Sequence, residues 1–173
     1  MGTPTKRLAF LGLMAALLFA QEAVLSFLPN IQATFLLVLL YGACVGIGGG
    51  TLIVTVHVLL DNLLFGVMSP FLLIPMWLGY ELTLFCGWLL RRRTEYAVCV
   101  AGIFCSLVYC LLFAAATALM CHTRGTGFAL GAYLLADLPF AALLVGSTAL
   151  SVLFLYAPLY RLLSRYTADF CKK

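Results

Sequence analysis

The stretch Lys6-Arg7-Leu8-Ala9-Phe10-Leu11-Gly12-Leu13-Met14-Ala15-Ala16-Leu17-Leu18-Phe19-Ala20-Gln21-Glu22 opens an apolar run that extends to Leu28, just before Pro29. At about 1.5 Å of rise per helical residue, Leu8 to Leu28 reaches roughly 30 Å, one hydrocarbon thickness. The run therefore predicts a membrane-spanning helix. Gly12, Ala16 and Ala20 recur every four residues and form one ridge without bulky side chains, a face that another helix can approach closely. The ridge is either a docking face for a partner or a packing face within this chain.

Composition extends that reading to the whole sequence. With 65% hydrophobic and 9% charged residues and a mean hydropathy of +1.14, the chain is too apolar for a soluble domain. Barrel strands would alternate polar and apolar residues in short segments, whereas these apolar runs are long and unbroken. The expected fold is all-α, an integral membrane bundle of six transmembrane helices in a single domain over residues 1–173. The first run is longer than a signal-peptide core and more spans follow it directly, so it is read as a retained helix.

Outward from that helix, Pro29-Asn30-Ile31-Gln32 reads as a turn. Ala33 to Val45 is a short second helix ending at Gly46-Ile47-Gly48-Gly49-Gly50, a predicted tight hairpin. That glycine run lacks the preceding strand and the following Lys-Ser/Thr of a phosphate loop. Thr51 to Val67 is predicted as helix three, Phe71 to Leu90 as helix four, stopped by Arg91-Arg92-Arg93, and Tyr96 to Cys121 as helix five. The apolar run from Phe128 to Tyr160 is too long for one straight span and contains Asp137-Leu138-Pro139. It is divided into a short interfacial or re-entrant piece, Phe128 to Ala136, and a sixth helix from about Leu138 to Leu163.

Six spans make a checkable statement about charge. With both termini cytoplasmic, Lys6, Arg7, Arg91, Arg92, Arg93, Arg161, Arg165, Lys172 and Lys173 lie on one side, nine of the ten basic residues, leaving Arg124 outside. The net charge of +4 is then an orientation signal and an attraction to anionic headgroups, not a nucleic-acid footprint. The seven cysteines contain no Cys-x-x-Cys and lie largely within spans, where thiols act as small apolar side chains. No metallohydrolase, serine-hydrolase or Walker motif occurs, so neither catalysis nor ATP hydrolysis is expected, and no cofactor is implied.

Ionisable residues inside the apolar runs are the chemical signal, because each costs a few kcal/mol at the membrane centre. They are Glu22, His57, Asp61, Glu81 and Asp137, with Gln21 and Asn62 beside them. In the six-span topology they converge on an outward-facing cavity. His57 and Asp61, four apart on one helical face, can pair, and Glu81 would approach from the neighbouring helix. Trp77 and Tyr80 are the aromatic candidates for the same cavity. Two ligands do not make a metal site, so His57 and Asp61 are not assigned one. The competing explanation is that these polar groups bond one another merely to hold the bundle together.

The order of features resembles a known family. A basic N-terminus, the small-residue ridge, Pro29-Asn30-Ile31-Gln32 before a short second helix, Leu59 to Gly66 (Leu-Leu-Asp-Asn-Leu-Leu-Phe-Gly), Ile74-Pro75-Met76-Trp77, and Asp137-Leu138-Pro139-Phe140 together look like the S components of energy-coupling factor (ECF) transporters. That resemblance implies a small six-helix protein of the bacterial cell membrane. Such a protein captures a vitamin or related micronutrient outside the cell, then docks on a transmembrane coupling subunit bound to two ATPases. It also implies that Ala16-x-x-x-Ala20, preceded by Gly12, mediates the docking. Family members often carry a His and an Asn after the Asp-x-Pro segment, and Leu143 to Ser147 offers neither, which leaves ligand contacts from helix six open. Two other classes compete: a self-sufficient secondary transporter using Asp61 or Glu81 as a proton relay, and a non-transporting membrane assembly protein that needs only the ridge.

Overall fold

The computed structural model describes residues 4–28, 30–66 and 68–171. Six helices follow in order: α1 (Pro4–Leu25), α2 (Thr34–Cys44), α3 (Ile47–Leu64), α4 (Pro70–Leu89), α5 (Glu95–Thr123) and α6 (Leu130–Cys171). No strand occurs among the described residues, and the chain is an α-helical membrane bundle. Five of the helices are long and apolar enough to cross a membrane. The exception is α2, whose 11 residues rise only about 16 Å; it is the short member of the six, sheathed by the others.

That short helix is the core. Thr34 to Gly42 are buried without a break, because α4, α5 and α6 pack around α2, with α3 and α1 completing the enclosure. The tightest contact is between α2 and α4, where two glycines remove the side chains that would hold the backbones apart. A Cβ on Gly42 would strike the Leu84 carbonyl oxygen and lie 2.9 Å from Trp88 N, and one on Gly87 would strike the Leu39 carbonyl oxygen and lie 2.8 Å from Leu39 Cα. In lipid, such close packing is a main source of helix attraction.

The expected glycine hairpin is shorter than its sequence suggests. Only Gly46, at φ 86, takes a left-handed conformation there, while Gly48, Gly49 and Gly50 already belong to α3. The α2 end is closed by Val45 N and Gly46 N donating to the Tyr41 carbonyl (2.8 and 3.1 Å), as a turn beside lipid requires. Gly49 and Gly50 serve packing instead. A Cβ on Gly49 would come within 3.2 Å of Leu11 Cδ2, and one on Gly50 would meet the Leu84 side chain.

The expected division of the last apolar run is also corrected. α6 is one helix of 42 residues carrying Pro139 and Pro158 inside it, and no separate re-entrant piece precedes it. Each proline removes one backbone bond, yet leaving a helix in lipid would expose many more. At about 1.5 Å per residue α6 is roughly 63 Å long and projects beyond the hydrocarbon.

Alternation of helix direction collects Lys6, Arg7, Arg91, Arg92, Arg93, Arg161 and Arg165 at one end of the bundle. Arg91, Arg93 and Arg161 line one small surface cavity, and Tyr160 Oη donates to the Arg91 carbonyl (3.4 Å). Arg124, just beyond α5, lies at the opposite end. Lys172 and Lys173 fall outside the described residues.

Candidate functional site: a polar cavity at the end opposite the basic cluster

Where α1 ends and α2 begins, the polar residues of both helices interlock. Gln21 Nε2 donates to the Leu18 carbonyl (3.1 Å) and to Thr34 Oγ1 (2.7 Å), while Gln21 Oε1 accepts from Ala33 N at 3.0 Å. Thr34 Oγ1 lies 3.4 Å from Glu22 Oε2 and 3.2 Å from Gln32 Oε1. Glu22 thus sits at the N-terminus of α2, where unpaired backbone N–H groups and the helix dipole favour a negative charge. A second partner comes from α3: His57 Nε2 stands 3.0 Å from Glu22 Oε2, with the His57 side chain wholly buried and Glu22 21% exposed. The approach is a close contact, not an aligned hydrogen bond, and His57 Nδ1 has no hydrogen-bond partner among the described residues.

The expected His57–Asp61 pair is therefore replaced by a His57–Glu22 pair between helices. Asp61, one turn further along α3, faces open space instead. It lines a cavity of about 350 Å³ with Glu22, Ser26, Asn30, Gln32 and Phe65, at the lower end of the range for small-molecule sites. Asn62 turns the other way, donating to the Val58 carbonyl (2.9 Å) and Met76 Sδ (3.3 Å). Neighbours on a helix point about 100° apart, and here one serves the cavity and the other the α3–α4 seam.

Other expected members lie elsewhere. Glu81 accepts from Thr51 Oγ1 (2.9 Å) and Trp77 Nε1 donates to Thr55 Oγ1 (3.0 Å). Thr51 and Thr55 are four apart on α3, as are Trp77 and Glu81 on α4, so one antiparallel register makes both bonds and neither residue lines the cavity. Tyr80 is fully buried beneath the site, its ring 5.7 Å from His57, 5.3 Å from Tyr109 and 5.6 Å from Phe35. It supports His57 and does not reach the opening. Asp137 is half-buried near the start of α6 and lines no part of the cavity, and the same holds for the exposed Arg124.

The site gains residues that the sequence reading passed over, Asn30 and Gln32 as turn and Ser26 and Thr34 as parts of the first two helices. The adjacent Gln21-Glu22 and the polar Asn30, Gln32 and Thr34 form a concentration of hydrogen-bonding groups in an otherwise apolar sequence, which was the available signal. Among the described residues no group of three His, Cys, Asp or Glu is arranged to hold a metal ion.

The ridge on α1 borders an open groove, which Gly12 and Ala16 line together with Leu52, Val56 and Leu60 of α3. Leu11, Ala15 and Leu18 are the buried positions, while Gly12, Ala16 and Ala20 are exposed, and nothing lies within 4 Å of a Cβ built on Gly12. No protein family, curated protein or solved structure matches the chain.

Proposed function

We propose that this chain is a substrate-capturing membrane subunit of the ECF S-component type. It takes up a vitamin or related micronutrient at the outer face of a bacterial cell membrane and delivers it through a coupling subunit and two ATPases. The observation that carries the reading is the polar cavity of about 350 Å³ lined by Glu22 and Asp61, at the end opposite the basic cluster. With the basic end cytoplasmic, that cavity opens outside. Two carboxylates and no lysine or arginine in its lining favour a neutral or cationic ligand. The exposed small-residue ridge of α1 is consistent with a partner helix arriving from the lipid side.

A proton relay through Asp61 and Glu81 is less well supported. Glu81 is engaged with Thr51, ten residues or about 15 Å along α3 from Asp61. Gentle purification tests the reading: mass spectrometry should find a bound small molecule, and the chain should co-isolate with a coupling subunit and ATPases. Proton-driven uptake by the chain alone would instead identify a secondary transporter. Absence of both ligand and ATPases would leave an assembly protein.

A further inference from the structure

The helices that enclose α2 leave one seam. α1 packs on α3, and α6 packs on α5 and α2, so between α1 and α6 the surface of α2 is reached from the membrane. A groove of about 300 Å³ runs there, walled by Phe10, Leu13 and Leu17 of α1 and by Leu159, Leu162 and Tyr166 of α6. Its floor is equally apolar. Tyr41, the polar residue there, is held with its hydroxyl donating to the Met14 carbonyl at 3.1 Å, and no polar surface lines the groove. A polar ligand has nothing to bond to inside it.

Cations stand at one end. Lys6 lies one helical turn before Phe10 on the same face of α1, with Arg7 beside it, and Arg165 precedes Tyr166 in the same turn of α6; all three are exposed. None of them forms an ion pair among the described residues. The remaining cation of this part of α6, Arg161, belongs to a different surface, facing Arg91, Arg93 and Glu95 beside α5. An apolar trough with three exposed cations beyond one end matches an amphiphile with an anionic head and a long hydrocarbon tail.

We propose that this groove binds one anionic glycerophospholipid, its phosphate among Lys6, Arg7 and Arg165 and one acyl chain against Tyr41 and the facing leucines. The exposed basic side chains near one end favour an anionic headgroup over the uncharged flank of a membrane helix. Bound there, the lipid would span from α1 to α6, and the site is independent of the cavity at the other end.

The test is native mass spectrometry of the full chain, delipidated and then titrated with phosphatidylglycerol or phosphatidylcholine of identical acyl chains. The wild type should retain one phosphatidylglycerol with a preference of about tenfold or more, as expected for phosphate near several basic side chains. Replacing all three cations (K6Q, R7Q and R165Q) should abolish the preference. Replacing Arg91, Arg92 and Arg93 by Gln, which removes equal charge from the same end away from the groove, should keep it. Leu17→Trp, which plugs the groove and leaves the cations, should release the lipid. Equal retention of the two lipids by the wild type overturns the proposal without recourse to any variant. So do equal losses in both charge variants, unimpaired retention by Leu17→Trp, or a bound protein segment in place of lipid.

Discussion

Adding one methyl group at Gly42 or Gly87 should unlock the bundle. At Gly42 the new Cβ would meet the Leu84 carbonyl oxygen and stand 2.9 Å from Trp88 N, and at Gly87 it would meet the Leu39 carbonyl oxygen and stand 2.8 Å from Leu39 Cα. These obstacles are backbone atoms of helices, which cannot turn aside as a side chain can. Restoring ordinary contact requires α2 and α4 to separate by roughly 1 Å or more, a gap that forfeits about half of the dispersion energy of the atom pairs it opens. Overpacking of this kind costs about 1–3 kcal/mol, and the upper part of that range is expected because α2 is enclosed on every side but one. For a chain of this size about 3 kcal/mol corresponds to roughly 6–12 °C in apparent melting temperature. The double variant should cost less than the two single losses combined, since both methyl groups push apart the same pair of helices. Gly12→Ala is the internal control: nothing lies within 4 Å of its Cβ, and alanine's better helix propensity, about 1 kcal/mol, should leave it neutral or slightly stabilised. Thermal unfolding in mild detergent, followed by circular dichroism, reads all four proteins. If Gly42→Ala and Gly87→Ala melt with Gly12→Ala, the α2–α4 contact is looser than described and the reasoning fails.

Asp61→Asn should weaken ligand binding about tenfold, the worth of one charge-assisted hydrogen bond, whereas Glu81→Gln, still able to accept from Thr51, should leave affinity within about twofold; the reverse order in a binding titration would reject this placement of the site. His57→Ala should cost roughly 2 kcal/mol or more of stability, because it opens a cavity and removes the partner of Glu22, a loss that a melting curve without ligand would report. Ala16→Trp should leave that curve unchanged while preventing co-isolation with a coupling subunit, and a fall in melting temperature would mean that the ridge packs internally. Single cysteines at Arg92 and Thr126, in a chain whose native cysteines are replaced, should react with an impermeant maleimide from opposite faces of the membrane; labelling from the same face refutes the alternation of helix directions.

The helices were legible because lipid allows the backbone few alternatives: a long apolar run has to be helical, and its length fixes where it can cross. What remained hidden depended on how one helix is rotated and shifted against another. Gly48, Gly49 and Gly50 read as a turn because glycine marks both positive φ and close approach, and only the contacts with Leu11 and Leu84 distinguish the two. Pro139 read as a break because in water a proline inside a helix costs about 3 kcal/mol or more. In lipid, unwinding the helix around it costs more, and α6 runs through.

The same distinction separates the polar residues. That a charge inside an apolar run needs a partner follows from the sequence; which partner it finds depends on helix phase. Glu81 and Trp77, spaced by four, find Thr51 and Thr55 with the same spacing on α3, and Asn62 finds the Val58 carbonyl and Met76. Their hydrogen-bonding demand is met within the chain, so removing them should act on stability. Glu22 is intermediate, shared between His57 and the start of α2 yet still open to the cavity. Asp61 alone among these in-run acids lines the cavity without a side-chain hydrogen bond or ion pair among the described residues. A carboxyl group at the mouth of a helical bundle, without an internal donor among the described residues, is the group on which an incoming donor would gain most. Asp61 is therefore the residue around which a search for the ligand should be built.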